Sequence, residues 1–168
     1  SNCTTPVIPA GTTIENNSTA GIRFVNCPSL GTIDNLIMNN NGSYGAFWFD
    51  NCGVVTLGSN ITYSGNEWPL SIDIKTFVDA SSTLPASGNT NNGIRILGGS
   101  LDVAGTWYHF PGVDYIIASN PIISASGSLT INDGNTVRFN FANYLNINGT
   151  LNATGTSGNG ILFTQNGT

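Results

Sequence analysis

The sequence predicts an all-β fold, a parallel β-solenoid of about seven turns of 21–25 residues with three short strands per turn. Three observations predict it. First, apolar residues come in pairs separated by one residue, the period-2 spacing of strands with one buried face. Leu129/Ile131, Val137/Phe139, Leu145/Ile147, Leu151/Ala153 and Ile161/Phe163 follow one another between Gly, Asn, Thr and Ser. Second, one such pair recurs as Ile22/Phe24, Phe47/Phe49, Ile72/Ile74, Ile94/Ile96, Ile116/Ala118, Val137/Phe139 and Ile161/Phe163, at steps of 25, 25, 22, 22, 21 and 24 residues. Third, Leu101-x-Val103-x-Gly105-Thr106-Trp107 recurs 22 residues on as Ile123-x-Ala125-x-Gly127-Ser128-Leu129, and again as Leu145-x-Ile147-x-Gly149-Thr150-Leu151. This places Gly105, Gly127 and Gly149 in one column. A unit this short cannot bury its own apolar face, whereas stacked units bury a continuous core. A β-sandwich or jelly roll also has many short strands, but does not keep residue types in register at this period.

Composition narrows the function classes. The chain has 168 residues, enough for about one domain. Only 8% are charged, against roughly 25% in ordinary soluble proteins. The four cations are Arg23, Lys75, Arg95 and Arg138, and polarity comes instead from Gly, Ser, Thr and 24 Asn. An uncharged polar surface suits an exported protein. It lacks the basic stripe of a nucleic-acid binder, so no nucleic-acid partner is expected. The net charge of -5 is spread out and implies no particular partner. No run of 18 apolar residues is present, so no membrane span is expected. Three cysteines (Cys3, Cys27, Cys52) lie in the first third without a CxxC, and His109 is alone, so neither a metal site nor a cofactor is expected.

In chain order, residues 1–20 read as an entry segment with one strand at Thr12–Ile14, and residues 21–168 as the solenoid. GIRFVNC at 21–27 aligns with AFWFDNC at 46–52, a step of 25. Asn26 then stacks on Asn51, the arrangement of an asparagine ladder. Cys27 stacks on Cys52 with Cα atoms inside disulfide range, which makes the pair a disulfide candidate. A ladder of free thiols, or a bridge from Cys3 to either, is the alternative. The stretch Asn60–Asn92 is irregular, and its loops are expected to protrude, where solenoids often carry function. Trp107 is expected in the core position of Leu129 and Leu151, while Tyr108, His109 and Phe110 form a patch for a ligand or partner. Sequons at Asn17, Asn41, Asn60, Asn148 and Asn152 are glycosylation candidates, with others at Asn2, Asn16 and Asn166.

The segment SLTINDGNTVRFNFANYLNINGTLNATGTSGNGILFT resembles the LTI-xx-G-xx-V-x-F … L-x-I-x-G-x-L-x-A-x-GT … I-x-FT pattern of secreted right-handed parallel β-helix proteins of the bacterial surface and adhesin type. The likeness covers about residues 113–164; the N-terminal half matches by period alone. It implies a right-handed β-helix, export, and an extracellular or cell-surface location, and it carries no catalytic residues. The chain stops at Thr168, after the first strand of a seventh turn, and this open turn is expected to need a partner. The expected function is therefore structural or adhesive: a subunit of a surface fibre or filament built by head-to-tail stacking of solenoid ends, with itself as the main partner. A polysaccharide, or a host or cell surface, is the other partner considered.

The alternative is a carbohydrate-binding or polysaccharide-cleaving, pectate-lyase-like β-helix. It rests on the outward residues between the paired apolar ones: Arg23, Trp48, Asp73, Arg95, Ile117, Arg138 and Leu162. Asp73 then neighbours Arg95, and Asp50 neighbours Lys75, so that Asp50, Asp73, Lys75 and Arg95 gather as candidate catalytic residues. Polysaccharide lyases on this fold use carboxylates to hold calcium and an Arg or Lys as base. The competing reading is a set of charge ladders, each cross-strand pair contributing roughly 0.2–1 kcal/mol, with Arg23 over Trp48 as a cation–π contact. Phosphate loops, zinc spacings and a nucleophile elbow are absent from the sequence, so the primary reading is not an enzyme.

Overall fold

The structure, a computed structural model, describes residues 8–167. Every named element in it is a β-strand. β2 (Ala20–Val25), β4 (Gly45–Asp50), β7 (Leu70–Ile72), β9 (Gly93–Ile96), β12 (Asp114–Ile117), β15 (Thr136–Phe139) and β18 (Leu162–Gln165) form one seven-stranded sheet. Each pairs in parallel with the next. Order in space equals order in sequence, so the chain advances one strand spacing per circuit. The result is a parallel β-solenoid of about six turns, one fewer than the sequence suggests.

A second set of strands precedes every member of that sheet except β9. In the N-terminal half it comprises β1 (Thr12–Glu15), β3 (Leu36–Asn39) and β6 (Thr62–Ser64); in the C-terminal half, β11 (Ala104–Trp107), β14 (Ser128–Ile131) and β17 (Thr150–Ala153). The third set is β5 (Gly53–Val55) with β8 (Thr76–Val78), and β10 (Ser100–Leu101) with β13 (Ile122–Ile123) and β16 (Asn146–Ile147). Residues 79–92 hold no strand and separate the two halves. β1 pairs in parallel with β3 from Thr12↔Leu36 to Glu15↔Asn39.

The inward column of the large sheet explains why these residues form these strands. Phe47/Phe49, Leu70/Ile72, Ile94/Ile96 and Tyr115/Ile117 stand in register and are sealed from solvent. Fully burying such a side chain contributes about 1.5–3 kcal/mol. Phe24 stacks on Phe49 with ring centroids 5.2 Å apart. Corners are closed by residues at positive φ, among them Asn26 (54°) and Asn51 (55°), because asparagine tolerates the left-handed region better than most side chains.

Register departs from the sequence expectation at four places, one of them β18, where Phe163 and not Ile161 lies beside Val137. Leu70/Ile72, not Ile72/Ile74, lies beside Ile94/Ile96. This slip of two residues leaves the same faces inward, which is why the pattern cannot reveal it. Tyr115/Ile117, not Ile116/Ala118, continues the column. Tyr115, Ile116 and Ile117 are all buried, so the local pattern has no polar face to fix the parity. Gly105 pairs with Leu129 and Trp107 with Ile131, whereas Gly127 does align with Gly149 beside the Ser128↔Thr150 pair. The link from β10 to β11 is two residues shorter than that from β13 to β14. Gly105 tolerates its inward place because the Phe77 ring fills it: a Cβ there would lie 1.9 Å from that ring.

Candidate functional site

Amide ladders run along the corners. Asn51 donates through Nδ2 to Asn26 Oδ1 at 2.8 Å. A longer ladder joins Asn17, Asn41, Asn66 and Asn89. Asn17 Nδ2 donates to Asn41 Oδ1, Asn41 Nδ2 to Asn66 Oδ1, and Asn66 Nδ2 to Asn89 Oδ1, each at 2.9 Å. The second proton of each inner amide goes to the backbone, Asn41 to Ile14 O at 3.0 Å and Asn66 to Met38 O at 2.8 Å. Both inner residues are buried, and a buried amide is tolerated only when its hydrogen bonds are satisfied. Sequence reasoning missed this ladder. Its steps of 24, 25 and 23 match the repeat, but its offset from the following apolar pair drifts by a residue either way.

The expected Cys27–Cys52 bridge is corrected: Cys27 is disulfide-bonded, whereas Cys52 is a buried free thiol. Stacking on adjacent turns brings Cα atoms close enough. It also keeps the Cβ vectors parallel and about 4.8 Å apart, beyond the roughly 3.8 Å that a disulfide prefers. The Cys52 thiol lies 3.5 Å from both Phe24 O and Asp50 O, and burial pushes its pKa up. Cys3 and Asn2 lie outside the described residues.

The outer face of the large sheet is built around a layered stack. Arg23 lies 3.6 Å over the Trp48 ring and Tyr44 covers the other face, with centroids 3.9 Å apart. Arg95 continues the stack, 5.4 Å from Tyr44 and 5.6 Å from Trp68. Arg95 Nη1 donates to Ser43 O at 2.6 Å, and Arg95 makes no ion pair among the described residues. The outward column reads Arg23, Trp48, Ser71, Arg95, Ile116, Arg138 and Thr164. Ser71, Ile116 and Thr164 stand where the sequence alignment put Asp73, Ile117 and Leu162.

The proposed quartet of Asp50, Asp73, Lys75 and Arg95 is therefore not assembled. The two-residue slip sets Asp73 beside Asp50, one position beyond the Phe49↔Ile72 pair. Both line a hollow of about 330 Å³ with Tyr44, Trp48, Leu97, Gly98 and Gly99. Asp50 Oδ2 accepts from Arg23 at 2.9 Å, and Asp73 Oδ1 from the Thr76 hydroxyl at 2.7 Å. Lys75 faces a second hollow of about 440 Å³, lined also by Asn26, Asn51 and Asp102. Its Nζ lies 2.9 Å from each Asp102 oxygen, which holds that carboxyl below its ordinary pKa. Arg95, caged by Tyr44 and Trp68, lines neither hollow.

The expected Tyr108–Phe110 patch is reduced. Phe110 is buried in the core, drawn in by the Phe110-Pro111-Gly112-Val113 turn, in which Val113 N donates to Phe110 O at 3.0 Å and Gly112 has φ 75°. His109 is exposed, and Tyr108 is half-buried with its carbonyl accepting from the Tyr115 hydroxyl at 3.0 Å. Of the sequons, Asn41 is ruled out as a glycan acceptor by its burial in the ladder. Asn17, Asn60, Asn148 and Asn152 are exposed.

The last described turn differs from those below it. Ile123 is 0% exposed and its register partner Ile147 is 46% exposed; Val137 is 0% and its partner Phe163 is 44%. Phe141, Tyr144 and Leu162 are exposed on the same turn. No protein family, curated protein or solved structure matches the chain.

Proposed function

We propose that the protein is a structural or adhesive β-solenoid of the extracellular surface, and that its units stack end to end into a fibre. One observation carries this reading: strands stack in parallel register through all the described turns, the geometry of a stiff rod, and at β16 and β18 the inward columns offer half-exposed apolar residues for a further layer. Among the described residues these strands have a parallel partner on one side only. The occupant proposed is a second copy, seated by its β1–β2 end. That end offers parallel edges of the same spacing and half-buried apolar residues: Ile22 of β2 stands in the column of Phe163, and Ile14 of β1 belongs to the strand set that ends in β17. A head-to-tail contact of this kind is heterologous and propagates. The scarcity of charge and the abundance of exposed Asn and Thr support lateral hydrogen bonding between rods.

The test is light scattering after size-exclusion chromatography across a concentration series. The wild type is expected to form species larger than a monomer that grow with concentration. Ile147→Asp with Phe163→Asp is expected to abolish them while leaving the β-sheet circular dichroism intact. A wild type that stays monomeric at every concentration refutes the reading.

A further inference from the structure

We propose that the hollow beside Asp50 and Asp73 is a binding site for a neutral saccharide chain. The inference is independent of end-to-end stacking, because the hollow lies on the flank of the solenoid and not at β16–β18. Its chemistry is that of a hydroxyl acceptor beside an apolar wall. Arg23 anchors Asp50 by Oδ2 and Thr76 anchors Asp73 by Oδ1, leaving Asp50 Oδ1 and Asp73 Oδ2 without a hydrogen-bond partner among the described residues. Two fixed, half-free carboxylates one strand spacing apart accept hydrogen bonds from neighbouring hydroxyl groups, and charge-assisted bonds are the stronger kind.

The wall is supplied by Tyr44 and Trp48. Their mutual stacking and the Arg23 cover hold both rings fixed, so that their edges give the hollow a rigid side for van der Waals contact. The floor is Gly98 and Gly99, with φ of 107° and 97°, where no side chain intrudes. The volume, about 330 Å³, falls in the range of about 300–1,000 Å³ typical of ligand clefts. The second hollow, with the Asn26 and Asn51 amides and the Lys75–Asp102 pair, is lined by other residues and is not part of the proposed site.

Charge selects the ligand class. Two adjacent carboxylates repel uronates, sulfates and phosphates, and the nearest cation, Arg23, is already paired. Among the described residues no group of three His, Cys, Asp or Glu side chains stands together, so a calcium bridge to an acidic glycan has only these two protein carboxylates to rest on. Hydroxyl-rich, uncharged saccharides fit this charge best.

The experiment is isothermal titration calorimetry of the intact chain with xylopentaose, cellopentaose and mannopentaose, and with penta-galacturonate with and without calcium. At least one neutral pentamer is expected to bind. Asp73→Asn keeps the acceptor for Thr76 but removes the charge and one free acceptor, and is expected to weaken binding at least tenfold. Gly99→Leu fills the floor and is expected to abolish binding. Asp114→Asn, on the same sheet but outside both hollows, is expected to bind as the wild type does. Unfolding midpoints establish which variants fold, and Asp73→Asn decides alone if Gly99→Leu does not. No binding of any neutral pentamer, undiminished binding by Asp73→Asn, or binding confined to galacturonate with calcium overturns the proposal.

Discussion

Asn66→Ala probes how the corners hold neighbouring turns together. Asn66 is sealed from solvent and makes four hydrogen bonds: Oδ1 accepts from Asn41 N at 3.0 Å and Asn41 Nδ2 at 2.9 Å, while Nδ2 donates to Met38 O at 2.8 Å and Asn89 Oδ1 at 2.9 Å. A net worth of about 1 kcal/mol per bond places the loss near 4 kcal/mol. The partners left behind are themselves enclosed, and Asn41 is 1% exposed, so water does not replace the amide without opening the corner. Asn51→Gly is the matched control. It removes one exposed bond of 2.8 Å and keeps the positive φ without strain, so about 0.5 kcal/mol is expected. Urea unfolding followed by tryptophan fluorescence compares the two, with Trp68 two residues from the site. Equal effects, or a loss below about 1 kcal/mol for Asn66→Ala, would show that the buried ladder is not what fixes the corner.

Two further outcomes follow from the core. Gly105→Ala places a Cβ 1.9 Å from the Phe77 ring and is expected to cost roughly 1–3 kcal/mol by overpacking. Adding Phe77→Leu is expected to return part of that loss; a double variant no better than the sum of the singles refutes the contact. Cys52 is expected to resist iodoacetamide until the chain unfolds. Because burial raises its folded pKa above the unfolded value, the thiol's contribution to stability is present at neutral pH and is lost as pH climbs from about 9 through the folded pKa. Cys52→Ala should flatten that alkaline decline, and an unreduced peptide linking Cys27 to Cys52 would contradict the assignment.

The solenoid was legible because burial writes a period of two into every strand, and stacking repeats it every 21–25 residues. Phe47/Phe49 and Ile94/Ile96 could be placed from that signal alone. What escaped is governed by the links between strands, whose lengths vary by one or two residues. An even slip at Leu70–Ile74 kept the faces correct and exchanged the neighbours of Asp73, turning an expected Asp73–Arg95 contact into an Asp50–Asp73 pair. Tyr44, Trp68 and Asp102 were missed because they lie outside the strand register and meet their partners through loops. The Asn26–Asn51 contact was readable because both follow their strands at the same offset. The Asn17–Asn89 ladder was not, because its offsets drift.

The central claim is that solenoid ends stack in register. Electron microscopy of the purified protein, with diffraction from oriented specimens, tests it most directly. Unbranched rods with an axial repeat of about 4.8 Å running unbroken across subunit joints are the expected result. Uniform particles no longer than one solenoid, about 30 Å for six turns at that spacing, would contradict it.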